Sequence, residues 1–170
     1  PSKGPLQSTN PCGEQPLYPF DACNLGSIFL DKFVKREKGQ KPEVNWEELK
    51  MAAREAVRFL DDVIEINPYP LEQINDMVRS VRRIGLGIGG WGDMLYLLEI
   101  PYDSEESLDL ARKIMRTIKV EGHKASRELA KKRGSFKLWD ESIFSKGDQM
   151  RNATVTTIAP TGSIGILAST

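Results

Sequence analysis

Cysteine and histidine are scarce in this chain, which has two cysteines and one histidine among 170 residues. Two cysteines are too few for the disulfide framework of a secreted domain, and this favours a reducing, cytoplasmic setting. A zinc site is disfavoured, because Cys12 and Cys23 are not a close pair and His123 is the single histidine. We expect His123 to be solvated or half-buried on a long charged helix.

An excess of charge of one sign is also missing, because 24 basic residues balance 24 acidic ones. No electrostatic attraction to nucleic acid or to an anionic membrane is therefore expected. No apolar run is long enough to span a bilayer, and no signal peptide opens the chain. The sequence starts at Pro1 without Met and stops at Thr170 within an apolar helical pattern. We interpret residues 1–170 as a single segment, truncated at both ends, of a larger domain.

Apolar periodicity predicts helices separated by short strands. The clearest helix lies between Asn45 and Asn67, where Asn45 and Glu48 fit a capping box. Asp103 and Glu106 fit a second capping box, at the start of a long helix that reaches about residue 132. Further helices are predicted at 71–81, 91–98 and 164–168, and strands at 22–33, 83–88 and 153–158. Strands that alternate with helices indicate an α/β fold.

A thiol near the start of the chain is flanked by an amide and a carboxylate. Asn10, Cys12 and Glu14 occupy alternate positions, so in an extended segment their side chains would share one face. A thiol beside a proton acceptor is a plausible reaction centre, and Cys23 adds the possibility of two-electron disulfide chemistry. The alternative is that both cysteines are free thiols buried as small hydrophobic residues.

Two glycine-containing segments are candidates for binding phosphate. Gly85, Gly87 and Gly90 satisfy the pattern G-x-G-x-x-G, but a charged helix end precedes them, so close packing is favoured over nucleotide binding. The segment 160–163 (PTGS) joins a predicted strand to a helix start. Its free backbone N–H groups and hydroxyls suit a phosphate, although an ordinary helix cap would look the same.

Four segments together resemble the catalytic chain of ribonucleotide reductases. They are STNPCGEQPL at 8–17, ACNLGS at 22–27, RRIGLG at 82–87, and RNAT through TIAPTGS at 151–163. Their order and spacing agree with the family along essentially the whole chain. The form NPCGEQP is most similar to class II enzymes, which use adenosylcobalamin to generate their radical.

The resemblance implies a fold and a role for each site residue. The chain would form roughly half of a ten-stranded α/β barrel, with Cys12 at a loop tip as the thiyl radical that abstracts the 3′ hydrogen of the ribose. Glu14 would accept the 3′-hydroxyl proton, Asn10 would bond the substrate near the 2′ and 3′ positions, and Cys23 would be one of two reducing thiols. The residues expected at the substrate phosphates are Thr161, Gly162, Ser163 and Ile164.

The resemblance also implies partners. The parent enzyme would be an oxidoreductase that reduces ribonucleoside diphosphates or triphosphates to deoxyribonucleotides for DNA synthesis. A thioredoxin-like protein would re-reduce it through parts outside these residues, and the resemblance is compatible with a homodimer of the full protein. The second reducing thiol, the effector region and the C-terminal thiol pair of the family have no counterpart in this sequence, and Gly165 replaces a frequent hydroxyl residue. The isolated segment is therefore expected to be inactive.

Three alternatives stay open at this point. The parent could be a class I large subunit, which needs a separate radical-generating protein in place of cobalamin. It could be a remnant that binds nucleotide without catalysis. It could also be a dinucleotide-dependent oxidoreductase built on Gly85, Gly87 and Gly90.

Overall fold

A computed structural model describes residues 4–170. The strands are β1 (Ser8–Thr9), β2 (Pro16–Leu17), β3 (Asn24–Phe29), β4 (Val34–Lys35), β5 (Glu43–Val44) and β6 (Ile84–Gly89). The α-helices are α1 (Trp46–Ile66), α2 (Glu72–Val81), α3 (Trp91–Leu98), α4 (Glu105–Arg133) and α5 (Gly162–Ala168). Within the described range, none of these helices has the length and apolar character that a membrane crossing requires.

Helix α1 begins as the sequence predicts. The Asn45 side chain accepts a hydrogen bond from the Glu48 backbone N–H at 3.4 Å and donates one to the Glu48 carboxylate at 2.6 Å. This confirms Asn45 as the cap, but the reciprocal bond of a capping box differs, because the backbone N–H of Asn45 donates to the carbonyl of Phe33 and not to Glu48. The apolar stripe that follows is buried against α4 and the strands, and it consists of Leu49, Ala53, Val57, Leu60 and Ile64.

Helix α4 begins one residue later than the second capping box predicts. Ser104, and not Asp103, is the N-cap residue, since its hydroxyl accepts a hydrogen bond from the Ser107 backbone N–H at 3.1 Å. The same hydroxyl donates to the carbonyl of Pro101 at 2.7 Å, which fixes Ser104 at the helix entrance. The helix ends at Arg133, where Gly134 adopts a φ of +84° that favours glycine.

The central strands β3 and β6 pair in parallel, from Asn24 opposite Ile84 to Phe29 opposite Gly89. The predicted strand 22–33 is shorter in the structure, because its second half turns into a 3₁₀ helix (Leu30–Phe33) and the short β4. This parallel pair, flanked by helices, confirms the mixed α/β class, and the sheet is not closed.

The predicted strand 153–158 forms a single parallel bridge, Thr156 to Leu86, instead of a full ladder. Ile84 donates its N–H to the Thr154 carbonyl, and Leu86, two residues on, donates to the carbonyl of Val155. The donors on β6 are thus two residues apart, whereas their acceptors in the segment are only one residue apart. The register slips there, and regular pairing stops.

The β3–β6 pair has two different faces. On the helix face, the Asn24 side chain bonds the carbonyl of Leu60 on α1 at 3.3 Å, and Ile84 and Leu86 enter the core. On the opposite side, which we call the open face, Leu25 and Ser27 of β3 lie beside glycines of β6. Alternation along each strand produces this division.

Candidate functional site

The strands β1 and β2 form an antiparallel hairpin, and its turn carries the candidate residues 10–15. The sequence-based prediction of an extended segment with Asn10, Cys12 and Glu14 on one face is wrong. The N–H of Gly13 donates to the carbonyl of Asn10 at 3.0 Å, and Gly13 has a φ of +83°. Pro11 and Gly13 favour such a turn over extended backbone.

The side chain of Asn10 closes this turn. Its Oδ1 accepts a hydrogen bond from the backbone N–H of Gln15 at 3.0 Å, and the Asn10 N–H donates to the Gln15 carbonyl at 3.2 Å. Asn10 is not among the residues that line the cleft described next. Its observed contacts hold the loop that carries Cys12 and Glu14.

A cleft of about 360 Å³ lies between the hairpin turn, the open face and the start of α5. The hairpin contributes Cys12, which is exposed, and Glu14, which is half-buried. The structure thus brings the candidate thiol and carboxylate beside the candidate phosphate-binding turn. The remaining lining residues are Leu25, Gly26, Ser27, Ala159, Pro160, Thr161, Gly162, Ser163 and Ile164.

Glu14 has an unpartnered carboxylate oxygen. Its Oε2 is buried and has no hydrogen-bond partner among residues 4–170. The backbone carbonyl of Glu14 accepts a hydrogen bond from the Thr157 hydroxyl at 3.3 Å, which ties the hairpin to the segment leading into α5. A buried acceptor without a donor costs free energy, so a donor supplied by a bound molecule would be favourable here.

Helix α5 begins two residues earlier than predicted, at Gly162. Thr161 is the N-cap with a left-handed φ of +60°, and no side chain caps the helix. The first N–H groups of an α-helix have no partner within the helix, so those of this short helix are available at the cleft. Gly162 has no heavy atom within 4 Å of where a Cβ would stand, so the approach to these groups is open.

Cys23 lies just before β3 and is half-buried, but it does not line the cleft. Its thiol donates a hydrogen bond to the carbonyl of Asn24 at 3.5 Å. Burial raises the pKa of the Cys23 thiol to about 12; the positive charge of Arg83 opposes this, while the carboxylates of Asp21 and Glu14 add to it. The thiol is therefore protonated at neutral pH.

The glycines of β6 allow close packing, as the sequence favours. A Cβ on Gly85 would stand 2.7 Å from Cγ2 of Thr157, and one on Gly87 would stand 2.9 Å from the Thr157 carbonyl oxygen. A dinucleotide-binding turn requires its glycines after the strand, at the helix entrance. Gly85 and Gly87 lie within β6, so they do not form such a turn. His123 is half-buried on α4, and burial followed by the nearby cations lowers its pKa.

Sequence reasoning missed three contributors to this region: Ser27 in the cleft wall, Thr157 behind Glu14, and the Asp21–Arg83 ion pair beside Cys23. Ser27 could have been found from the alternation Leu25, Gly26, Ser27 along β3, which places it on the same face as Leu25. The other two arise from contacts between distant parts of the chain.

One cleft beside the parallel strands brings together a free thiol, a carboxylate and an open helix start. These features define a segment of an α/β domain with a thiol-based candidate active site. Residues 1–150 match the family model described as "Ribonucleotide reductase, barrel domain". The chain belongs to this family, as the sequence resemblance predicts.

Curated relatives extend this result. The chain is 51% identical over 97% of its length to a vitamin B12-dependent ribonucleoside-diphosphate reductase of Thermoplasma acidophilum. It is 45% identical over its whole length to an enzyme of the same name from Mycobacterium tuberculosis, and 35% identical over 85% of its length to ribonucleoside-diphosphate reductase large chain 2 of Saccharomyces cerevisiae. It spans 21%, 24% and 17% of these three proteins.

A solved structure agrees in fold. The α subunit of the Actinobacillus ureae class Id ribonucleotide reductase superposes with a TM-score of 0.76 at 28% sequence identity. The match covers 96% of this chain and 30% of that subunit.

Proposed function

We propose that residues 1–170 form one segment of the barrel domain of an adenosylcobalamin-dependent ribonucleotide reductase. The parent enzyme converts ribonucleotides to deoxyribonucleotides by radical chemistry. The observation that carries the proposal is the shared cleft, in which Cys12 and Glu14 lie opposite the start of α5. The higher identity to the vitamin B12-dependent relatives than to the yeast large chain supports the cobalamin-dependent class.

The proposed roles follow the geometry of the cleft. Cys12 removes the 3′ hydrogen atom of the ribose, and Glu14 accepts the 3′-hydroxyl proton. The buried, unpartnered Oε2 of Glu14 is the acceptor, because a substrate hydroxyl would supply the donor that the protein does not. The phosphates lie at the start of α5, where N–H groups and the helix dipole favour an anion, on Thr161, Gly162, Ser163 and Ile164.

Asn10 and Cys23 do not line this cleft, and their proposed roles follow from the family resemblance. Asn10 accepts the Gln15 N–H through Oδ1, which leaves its Nδ2 donors for the substrate near the 2′ and 3′ positions. Cys23 supplies one of two reducing thiols: per turnover, two thiols become a disulfide, the 2′-hydroxyl leaves as water, and the sugar gains the two electrons. The second thiol comes from elsewhere in the parent protein, since Cys12 is reserved for the radical step.

Adenosylcobalamin supplies, when bound, the means to remove a hydrogen atom from a thiol. The residue that fits this chemistry is Cys12, whose side chain is exposed at the hairpin tip. The substrate is a ribonucleoside diphosphate or triphosphate, and a thioredoxin-like protein acts as reductant through other parts of the parent.

The test replaces Cys12 by Ala in the polypeptide that contains this segment and measures deoxyribonucleotide formation with adenosylcobalamin and a dithiol. We expect turnover to fall at least about a thousandfold, because a residue on which the chemistry depends cannot be replaced by its neighbours. The matched control is Ser142→Ala, which removes one small polar group outside the cleft and should leave turnover unchanged.

Two results would overturn the proposal in different ways. Unchanged turnover in Cys12→Ala would favour a segment without a catalytic role. Turnover that persists without cobalamin but requires a second protein would identify a class I large subunit.

A further inference from the structure

A buried ion pair links the loop before β3 to the residue before β6. Nε of Arg83 lies 2.9 Å from Oδ2 of Asp21, and the two side chains are 9% and 0% exposed. The guanidinium carbon of Arg83 also lies 5.8 Å from the centre of the Tyr18 ring. Arg83 is therefore held in place by a carboxylate and an aromatic ring.

The strand register places Arg83 beside Cys23. Asn24 pairs with Ile84, so the preceding residues Cys23 and Arg83 stand level at the start of the two parallel strands. The side chains of Asn24 and Ile84 both turn to the helix face. Alternation then directs the side chains of Cys23 and Arg83 to the opposite side.

Three charged groups act on the Cys23 thiol. They are Asp21 from the preceding loop, Arg83 from the start of β6, and Glu14 from the hairpin. Arg83 is the one cation of this set, and it acts against burial and against the two carboxylates to lower the pKa of the thiol. Burial raises the pKa of Asp21 as well, and the bond to Arg83 opposes that rise.

We propose that Arg83, anchored by Asp21, is a positioning residue that stabilises the thiolate of Cys23. The inference rests on the proposed role of Cys23 as a reducing thiol. After turnover Cys23 is part of a disulfide, and a dithiol reductant must break it. A reductant thiolate then forms a new S–S bond, and Cys23 leaves with the electron pair of the broken bond. A leaving thiol departs faster when its thiolate is stabilised, which is what the guanidinium provides.

The test measures the alkylation rate of Cys23 by iodoacetamide as a function of pH, in the polypeptide that contains this segment. In a Cys12→Ala background the tryptic peptide 4–32 carries a single thiol, so mass spectrometry reports Cys23 alone. We expect Arg83→Met to slow alkylation about tenfold at pH 8, and the rate of both proteins should keep rising with pH, because the pKa of the thiol lies far above this pH. Arg83→Lys keeps the charge and should remain within about threefold of the parent.

A second variant separates electrostatics from packing. Asp21→Asn removes a negative charge but keeps an acceptor for Nε of Arg83, so alkylation should become faster, opposite in sign to Arg83→Met. If the ion pair only holds the loop, both variants expose the thiol and both accelerate alkylation at every pH. Acceleration in Arg83→Met, or an unchanged rate, would overturn the inference.

A matched control removes the same charge elsewhere. Arg112→Met breaks an exposed ion pair of α4 with Asp109 and should leave the Cys23 rate unchanged. The readout needs no turnover. A failed alkylation test therefore leaves the proposed function standing, and a failed turnover test leaves the alkylation result interpretable.

Discussion

Two carboxylates of this chain, one fully buried and one half-buried, have opposite surroundings. Asp61, on α1, is fully buried and its two oxygens accept hydrogen bonds from four side chains, which belong to Arg82, Asn152, Arg133 and Arg151. Glu14, in the hairpin, has a buried oxygen with no partner among the described residues. Each residue has a carboxylate oxygen that is withdrawn from water, yet the oxygens of Asp61 have several donors and Oε2 of Glu14 has none among the described residues.

The difference assigns Asp61 to the stability of the fold and Glu14 to the proposed chemistry of the cleft. The Asp61 cluster ties α1 to the end of α4 and to the segment before Thr154, and Glu65 joins it through Arg82 and Arg151. It fixes the helix layer behind the strands. Glu14 lies on the cleft side, where an unsatisfied oxygen costs stability but can accept a proton or a donor from a bound molecule.

The largest expected effect is at the saturated carboxylate. Asp61→Asn removes the charge that compensates buried Arg82, so we expect the free energy of unfolding to fall by about 3 to 5 kcal/mol. Urea denaturation followed by circular dichroism measures it. The same change at the exposed Asp109 should cost less than about 1 kcal/mol. A loss at Asp61 as small as that at Asp109 would remove the contrast between the two carboxylates.

Part of the helix layer could be predicted from the sequence. The stripe of α1 and its capping residues follow from local spacing, and both are confirmed. Asp61 lies on that stripe between Val57 and Ile64, which is a visible sign of a buried acidic residue. Its donors come from positions 82, 133, 151 and 152, which only the tertiary fold brings together.

The site was less accessible to sequence reasoning. The motif identified the family and named Cys12 and Glu14, but the argument from extended backbone was wrong because Gly13 forms a turn. The open face also depends on contacts across strands, as does the approach of Thr157 to Gly85. Such contacts between distant residues leave no local pattern.

An intermediate effect on stability is expected from a larger side chain at Gly85, on the open face of the β3–β6 pair. In Gly85→Val the new side chain would overlap Thr157 and Leu25, which stand 2.7 and 2.8 Å from the position of a Cβ. We expect unfolding to become easier by about 1 to 3 kcal/mol, since overpacking forces neighbours aside. Thermal unfolding of the purified chain measures this.

The control for that substitution is a glycine with free space. Gly92 lies in α3 with no heavy atom within 4 Å of a Cβ position, so Gly92→Ala should raise stability by about 0.5 kcal/mol through helix propensity. Equal losses at Gly85 and Gly92 would show that backbone flexibility, and not close packing on the open face, explains the glycines of this region.

The smallest effect on stability is expected at the unsatisfied carboxylate. Glu14→Gln makes the same change as Asp61→Asn, but it removes a charge whose buried oxygen has no donor to lose. The free energy of unfolding should therefore stay within about 1 kcal/mol of the parent or rise slightly. In the polypeptide that contains this segment, the same variant should lose most of its turnover, because an amide cannot accept the substrate proton. Stability that is kept while activity is lost would mark Glu14 as a residue retained for chemistry; a loss of stability as large as that at Asp61 would instead make it part of the folding framework.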